Sequence, residues 1–171
     1  MNTYERNTDP TFWARRNRKC NCGSFALNVT SWFTPFDNDS DYTHKVRETM
    51  MQEMYDEGYS REEIMEAVLR RDQEEILNTC PWIEPVLPEE IKPEDKVIAY
   101  RIGLAFAPCW SSEFFDEDYH FRIRIGGFWF EKCGEEDVQF CADQNVTHIW
   151  NTLPDLAYDS DIVYFRYIKE F

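Results

Sequence analysis

Apolar positions recur in two rhythms along this chain, and the change between them falls near residue 96. From Tyr42 to about Asn78 the rhythm is helical. Val46, Met50 and Met54 lie four apart, with Met51 and Tyr55 beside them, and Ile64, Met65, Val68, Leu69, Ile76 and Leu77 make one broad face. Asp56-Glu57-Gly58-Tyr59 interrupts the run, and Ser60-Arg61-Glu62-Glu63 is a capping box that starts a second helix. The pattern predicts two helices joined by a tight turn, an αα-hairpin. From Lys96 the rhythm shortens. Val97–Phe106 reads as one long strand or two, and Tyr119–Ile125, Gly126-Gly127 and Phe128–Cys133 read as a hairpin with a two-residue turn. That turn sets Ile125 opposite Phe128, Ile123 opposite Phe130 and Phe121 opposite Lys132, on one largely apolar face. His120, Arg122 and Arg124 share the other face with Cys133, Glu131 and Trp129. A last strand over Asp161–Ile168 alternates less cleanly, as a strand inside a sheet does.

The remaining segments connect these elements. Met1–Lys19 reads as an arm with Phe12 and Trp13 as anchors. Cys22 to about Trp32 reads as a short buried helix, against the preference of Gly23, Val29 and Thr30. Thr34–Asp41 is a loop by its turn residues. Cys80–Asp95 carries prolines at 81, 85, 88 and 93 and reads as an extended connector, and Pro108–Asp118 as an acidic, aromatic loop. There is no internal repeat. The expected organisation is one α+β domain over 1–171, a Cys-bearing N-terminal helix on an antiparallel sheet. An acidic helical subdomain is inserted at about 40–80.

Charge narrows the partners. The chain carries a net −15, divided as +3 over residues 1–30, −12 over 31–95 and −6 over 96–171. Phosphates would be repelled from most of this surface, so nucleic acid is excluded as a partner, and the acidic segment 42–78 suits a basic protein instead. Helix-turn-helix recognition of DNA is excluded on the same ground. No apolar stretch reaches the length of a membrane span, and the polar N-terminus lacks the apolar centre of an export signal. The expectation is a cytoplasmic protein whose six cysteines (20, 22, 80, 109, 133 and 141) are free thiols. Cys20-x-Cys22 and Cys133-x7-Cys141-x6-His148 lack the Cys-x2-Cys spacing of structural zinc sites, and no phosphate-cradling glycine motif is present. No metal or other cofactor is implied.

One constellation carries chemistry. Cys22 stands at the head of the short apolar run, where a helix start favours a thiolate, and Gly23 beside it lets a substrate approach the backbone. His120 follows on the polar face of the hairpin, as a proton acceptor for a thiol would. Glu131 is diagonal to His120 and can orient it, or can pair across the strands with Arg122. Asp137 and Asn145 are further orienting candidates, and Cys133, directly opposite His120, is a second candidate thiol.

These residues stand in a pattern that resembles a family. Cys22-Gly23-Ser24-Phe25-Ala26 is similar to the Cys-Gly-Ser-Cys-Trp-Ala stretch of papain-type peptidases, with one residue missing. Asn21–Leu27, Asp118-Tyr119-His120-Phe121, Gly127-Phe128-Trp129 and Lys132-Cys133-Gly134 resemble, in order, elements of papain-like or NlpC/P60-like cysteine peptidases of bacteriophages. The resemblance covers residues 17–36 and 96–135. It implies a papain-like fold and a thiol hydrolase that cleaves a peptide, isopeptide or peptidoglycan amide bond. Cys22 is then the nucleophile, His120 the base and Glu131 a candidate third member, in a bacterial host cytosol. Asn21, Gly23 and Trp129 fall on the oxyanion and substrate side. The chain departs from the pattern at Arg16, where papain types carry the oxyanion glutamine, so the Cys22 backbone with Asn21 or Asn17 has to serve. The acidic insertion has no counterpart there. The contrasting expectation is a non-catalytic acidic protein, an inhibitor or polyanion mimic on a degenerate papain-like scaffold.

Overall fold

The computed structural model describes residues 4–14, 20–31, 33, 49–106, 115–132, 136–141, 144 and 161–168. The loops expected over 34–41 and 108–114, the start of the 42–78 pair, and Arg16, Asn17, Cys109, Cys133, Asn145 and His148 lie outside them. The architecture is α+β: helices against one antiparallel sheet of six strands in the order β1-β6-β2-β3-β4-β5. The strands are β1 (Ile83–Pro85), β2 (Val97–Phe106), β3 (Phe115–Ile125), β4 (Phe128–Lys132), β5 (Val138–Phe140) and β6 (Val163–Tyr167).

The hairpin forms in the register that its turn dictates. Ile125 pairs with Phe128, Arg124 with Trp129 and Ile123 with Phe130. Gly126 (φ 59°) and Gly127 (φ 85°) supply the two positive dihedrals that such a turn needs. β2 is one unbroken strand paired along its whole length with β3, Val97 against Arg124 through Phe106 against Phe115. That pairing corrects one boundary. Residues 115–118, expected in a loop, extend β3, because the long β2 offers them backbone partners. The proline-rich connector is also more than a connector. Its residues 83–85 pair with β6 as an edge strand, a place where the missing N–H of Pro85 costs no ladder bond. β6, between β1 and β2, is interior to the sheet.

α1 (Cys22–Leu27) has only six residues, five fewer than the pattern to Trp32 suggested. Asn28 ends it in the left-handed conformation (φ 56°), with its N–H bonded to the Phe25 and Ser24 carbonyls. A second helical stretch, α2, is described over 49–56, and α3 runs over Arg61–Thr79, with Gly58 (φ 89°) between them. Ser60 and Glu63 make the reciprocal cap at the start of α3, Oγ accepting from the Glu63 N–H and Oε2 from the Ser60 N–H. α1 lies over β3 and β4, and α3 over β1 and β2. One apolar core is shared by both helices and one sheet face: Phe25, Leu27, Ile64, Val68 and Ile76 against Ile98, Tyr100, Phe121, Ile123 and Phe165. Asp72 and Lys132 are buried polar side chains. Asp72 of α3 accepts from the Tyr100 hydroxyl, and the Lys132 ammonium donates to the Cys20 carbonyl. Neither side chain of these pairs could be buried alone.

Candidate functional site

The site is built where α1 begins. A six-residue helix does not form by propensity alone, so its ends must be held from outside. Asn21 is the N-cap. Its Oδ1 accepts from the Ser24 N–H (3.0 Å), the Ser24 hydroxyl (2.8 Å) and the Phe33 N–H (3.2 Å). Its Nδ2 donates to the Phe33 carbonyl (2.7 Å) and to the Tyr119 hydroxyl (3.1 Å). Both donors of the Asn21 amide are therefore occupied, which makes Asn21 a positioning residue for the first turn. At the other end, the Ala26 and Leu27 carbonyls accept from the Tyr167 hydroxyl and the Trp82 indole N–H. The N-terminal arm closes over the same end: Trp13 stacks edge-on against Phe25 and donates to Asn28.

Gly23 is demanded by packing. A Cβ there would stand 2.9 Å from the Phe33 ring and 3.2 Å from that of Phe121. α1 can rest on β3 only because this position has no side chain. The close approach expected of Gly23 is thus made by the protein's own rings.

These contacts fix Cys22 against His120, 98 residues along the chain. β3 and β4 pair as far as Ile123 with Phe130, and His120 lies three residues back along β3 from that last pair. The Cys22 thiol lies within interaction range of the His120 ring, whose Nε2 donates to Glu131 Oε2 at 2.8 Å. With Nε2 occupied by Glu131, Nδ1 is the nitrogen left for the sulfur. Arg122 donates to the same carboxylate oxygen at 2.9 Å. Both readings of Glu131 hold together: it contacts His120 and pairs with Arg122.

The electrostatics follow from this geometry. Burial favours neutral imidazole, but the interactions with Cys22 and Glu131 outweigh it and raise His120 to about 9. Burial also works against the Glu131 carboxylate, yet the His120 bond and the Arg122 and His120 charges hold it below the ordinary range. Burial raises Cys20, with Lys132 and Ser24 only partly opposing, and raises Cys80 to about 12. Cys20, Cys22, Cys80 and Cys141 are not in disulfides.

Of the residues singled out in the sequence, Cys22, His120 and Glu131 come together, with Asn21 and Gly23 supporting them. Trp129 packs on the sheet against Ala99, beside Ile162 and Tyr164, in a separate small cluster. Asp137 is exposed before β5. One member went unforeseen: Tyr119, whose hydroxyl joins Asn21 to Phe33 and whose adjacency to His120 was the signal. Among the described residues no cluster of His, Cys, Asp and Glu suits a metal ion, and no helix is long and apolar enough to cross a membrane. No family model, curated protein or solved structure matches this chain.

Proposed function

We propose that this chain is a cysteine hydrolase of papain-like type that cleaves an amide bond in a peptide, protein or peptidoglycan substrate. The observation that carries the reading is the Cys22–His120–Glu131 relay, in which a thiol, an imidazole and a carboxylate from three separate elements are brought together, the imidazole hydrogen-bonded to the carboxylate. The Cys22 thiolate attacks the substrate carbonyl carbon. The C–N bond breaks as His120 gives its proton to the leaving amine, leaving a thioester on Cys22. Water then attacks the thioester while His120 takes its proton, and the acid product leaves with the thiol restored. Glu131 holds the ring in place and stabilises the imidazolium.

Alkylation by iodoacetamide between pH 4 and 9, mapped cysteine by cysteine, tests the pair. Cys22 should react at pH 6 about tenfold or more faster than Cys20 and Cys80, and His120→Ala should remove that advantage. Equal rates at all three thiols would end the hydrolase reading. With a substrate in hand, turnover should fall as pH rises through about 9, where His120 loses the proton it must donate.

A second reading has its own observation. α3 carries Glu62, Glu63, Glu66 and Glu74 exposed, in a chain of net charge −15. That surface suits capture of a basic protein, in the manner of a polyanion mimic, on a scaffold whose chemistry is idle. Binding of this kind would weaken with salt and ignore Cys22→Ala.

A further inference from the structure

We propose that Arg122 is a positioning residue that limits how tightly Glu131 holds the His120 proton, so that the imidazolium remains able to give it up. The inference deepens the hydrolase reading and rests on the same relay. The argument starts from one atom. Glu131 Oε2 accepts from His120 Nε2 at 2.8 Å and from Arg122 Nη2 at 2.9 Å, so a single oxygen serves two cationic donors. The guanidinium is 4% exposed and the carboxylate 15%, so water screens neither strongly.

A carboxylate alone beside an imidazolium, with a thiolate on its far side, places two negative charges around one cation. Such a site stabilises the proton on the ring and makes it a poor general acid. A guanidinium on the shared oxygen draws off part of that charge and repels the imidazolium. Among the described residues, the charged or titratable groups placed towards His120 include Cys22 from α1, Glu131 from β4, Arg122 from its own strand and Arg101, its register partner on β2. Of the two cations, Arg122 bonds to the carboxylate that bonds to the ring. Its effect therefore reaches His120 through Glu131, whatever the substrate.

The test reads His120 directly. The chain has three histidines, so substituting His44 and His148 identifies the His120 resonances in an NMR titration. Arg122→Gln should raise the His120 midpoint by about one unit or more, and Arg122→Lys, which keeps the charge, should hold it near the native value. An unchanged or lowered midpoint in a folded Arg122→Gln protein would overturn the proposal. Should that variant fail to fold, the native protein still decides. The Arg122 guanidinium 15N signals should shift through the His120 midpoint, and signals that stay still across it would overturn the proposal equally. Neither readout uses turnover, so an inert Cys22 would defeat the hydrolase reading while leaving this coupling to stand or fall by itself.

Discussion

At the residue scale three buried thiols have different neighbours. Burial pushes Cys20 and Cys80 up, with Lys132 and Ser24 only partly opposing it at Cys20, and Cys22 has the His120 ring beside it. Gly23, next in the chain, shows how little freedom that arrangement leaves. Alanine is intrinsically the better helix residue by about 1 kcal/mol, so propensity alone predicts that Gly23→Ala stabilises α1. The Phe33 ring 2.9 Å from the would-be Cβ predicts the reverse. Phe33 itself is fully buried and edge-on to Phe121, so its ring has nowhere to retreat. Overpacking wins, and the expected outcome is a net loss of about 1–3 kcal/mol, read as a lower urea midpoint at unchanged slope. A midpoint raised by the substitution would show that α1 does not sit on β3 as described.

At the element scale the question is why α1 exists at all, since a helix of six residues is far below the length that holds itself together. Its ends supply the answer, and the amide of Asn21 is the larger part of it. Asn21→Ala removes three accepted and two donated hydrogen bonds from a buried position. It should cost about 2 kcal/mol or more and slow Cys22 alkylation, because the first turn of α1 carries the thiol. Full stability with native alkylation would show that the cap is dispensable. The same scale explains what the sequence made legible. The Ser60–Glu63 cap, the Gly126-Gly127 register and the reach of Glu131 to His120 depend on residues no more than eleven apart, where local rules decide. β5 and β1 were invisible as strands: three residues each give no alternation to read, and β1 exists because β6 presents an edge to it. The Cys22–His120 contact has no local signal either. Only the order of a thiol at an apolar head and a histidine on a strand pointed to it. The burial of Lys132 on a face that read as apolar depends on one distant carbonyl, that of Cys20, which no pattern within β4 could announce.

At the scale of the whole molecule, charge and site pull stability in different directions as pH falls. At pH 7 the net −15 repels itself, and protonation toward the isoelectric point near 4.5 relieves that repulsion. Below that point a second effect takes over. Glu131 is held below its ordinary range in the folded chain, so the stability that it contributes is present above about 4.5 and is lost as pH falls through its folded value. His120 leaves that loss unaltered, because below about pH 5 it is protonated both folded, with its value near 9, and unfolded, near 6.5; between pH 7 and 5 its raised value adds to the rise. Urea midpoints should therefore rise from pH 7 to about 5 and fall again below 4.5. Glu131→Gln should cost about 2 kcal/mol at pH 6 and visibly less at pH 3, below the ordinary carboxylate value, where the unfolded chain gains a proton that the folded carboxylate resists. Added salt should raise the midpoint at pH 7, through screened repulsion, and do little at pH 5. A Glu131→Gln penalty that stayed constant from pH 6 to 3 would mean that the carboxylate is not charged in the relay. The imidazolium of His120 would then lack the partner assigned to it.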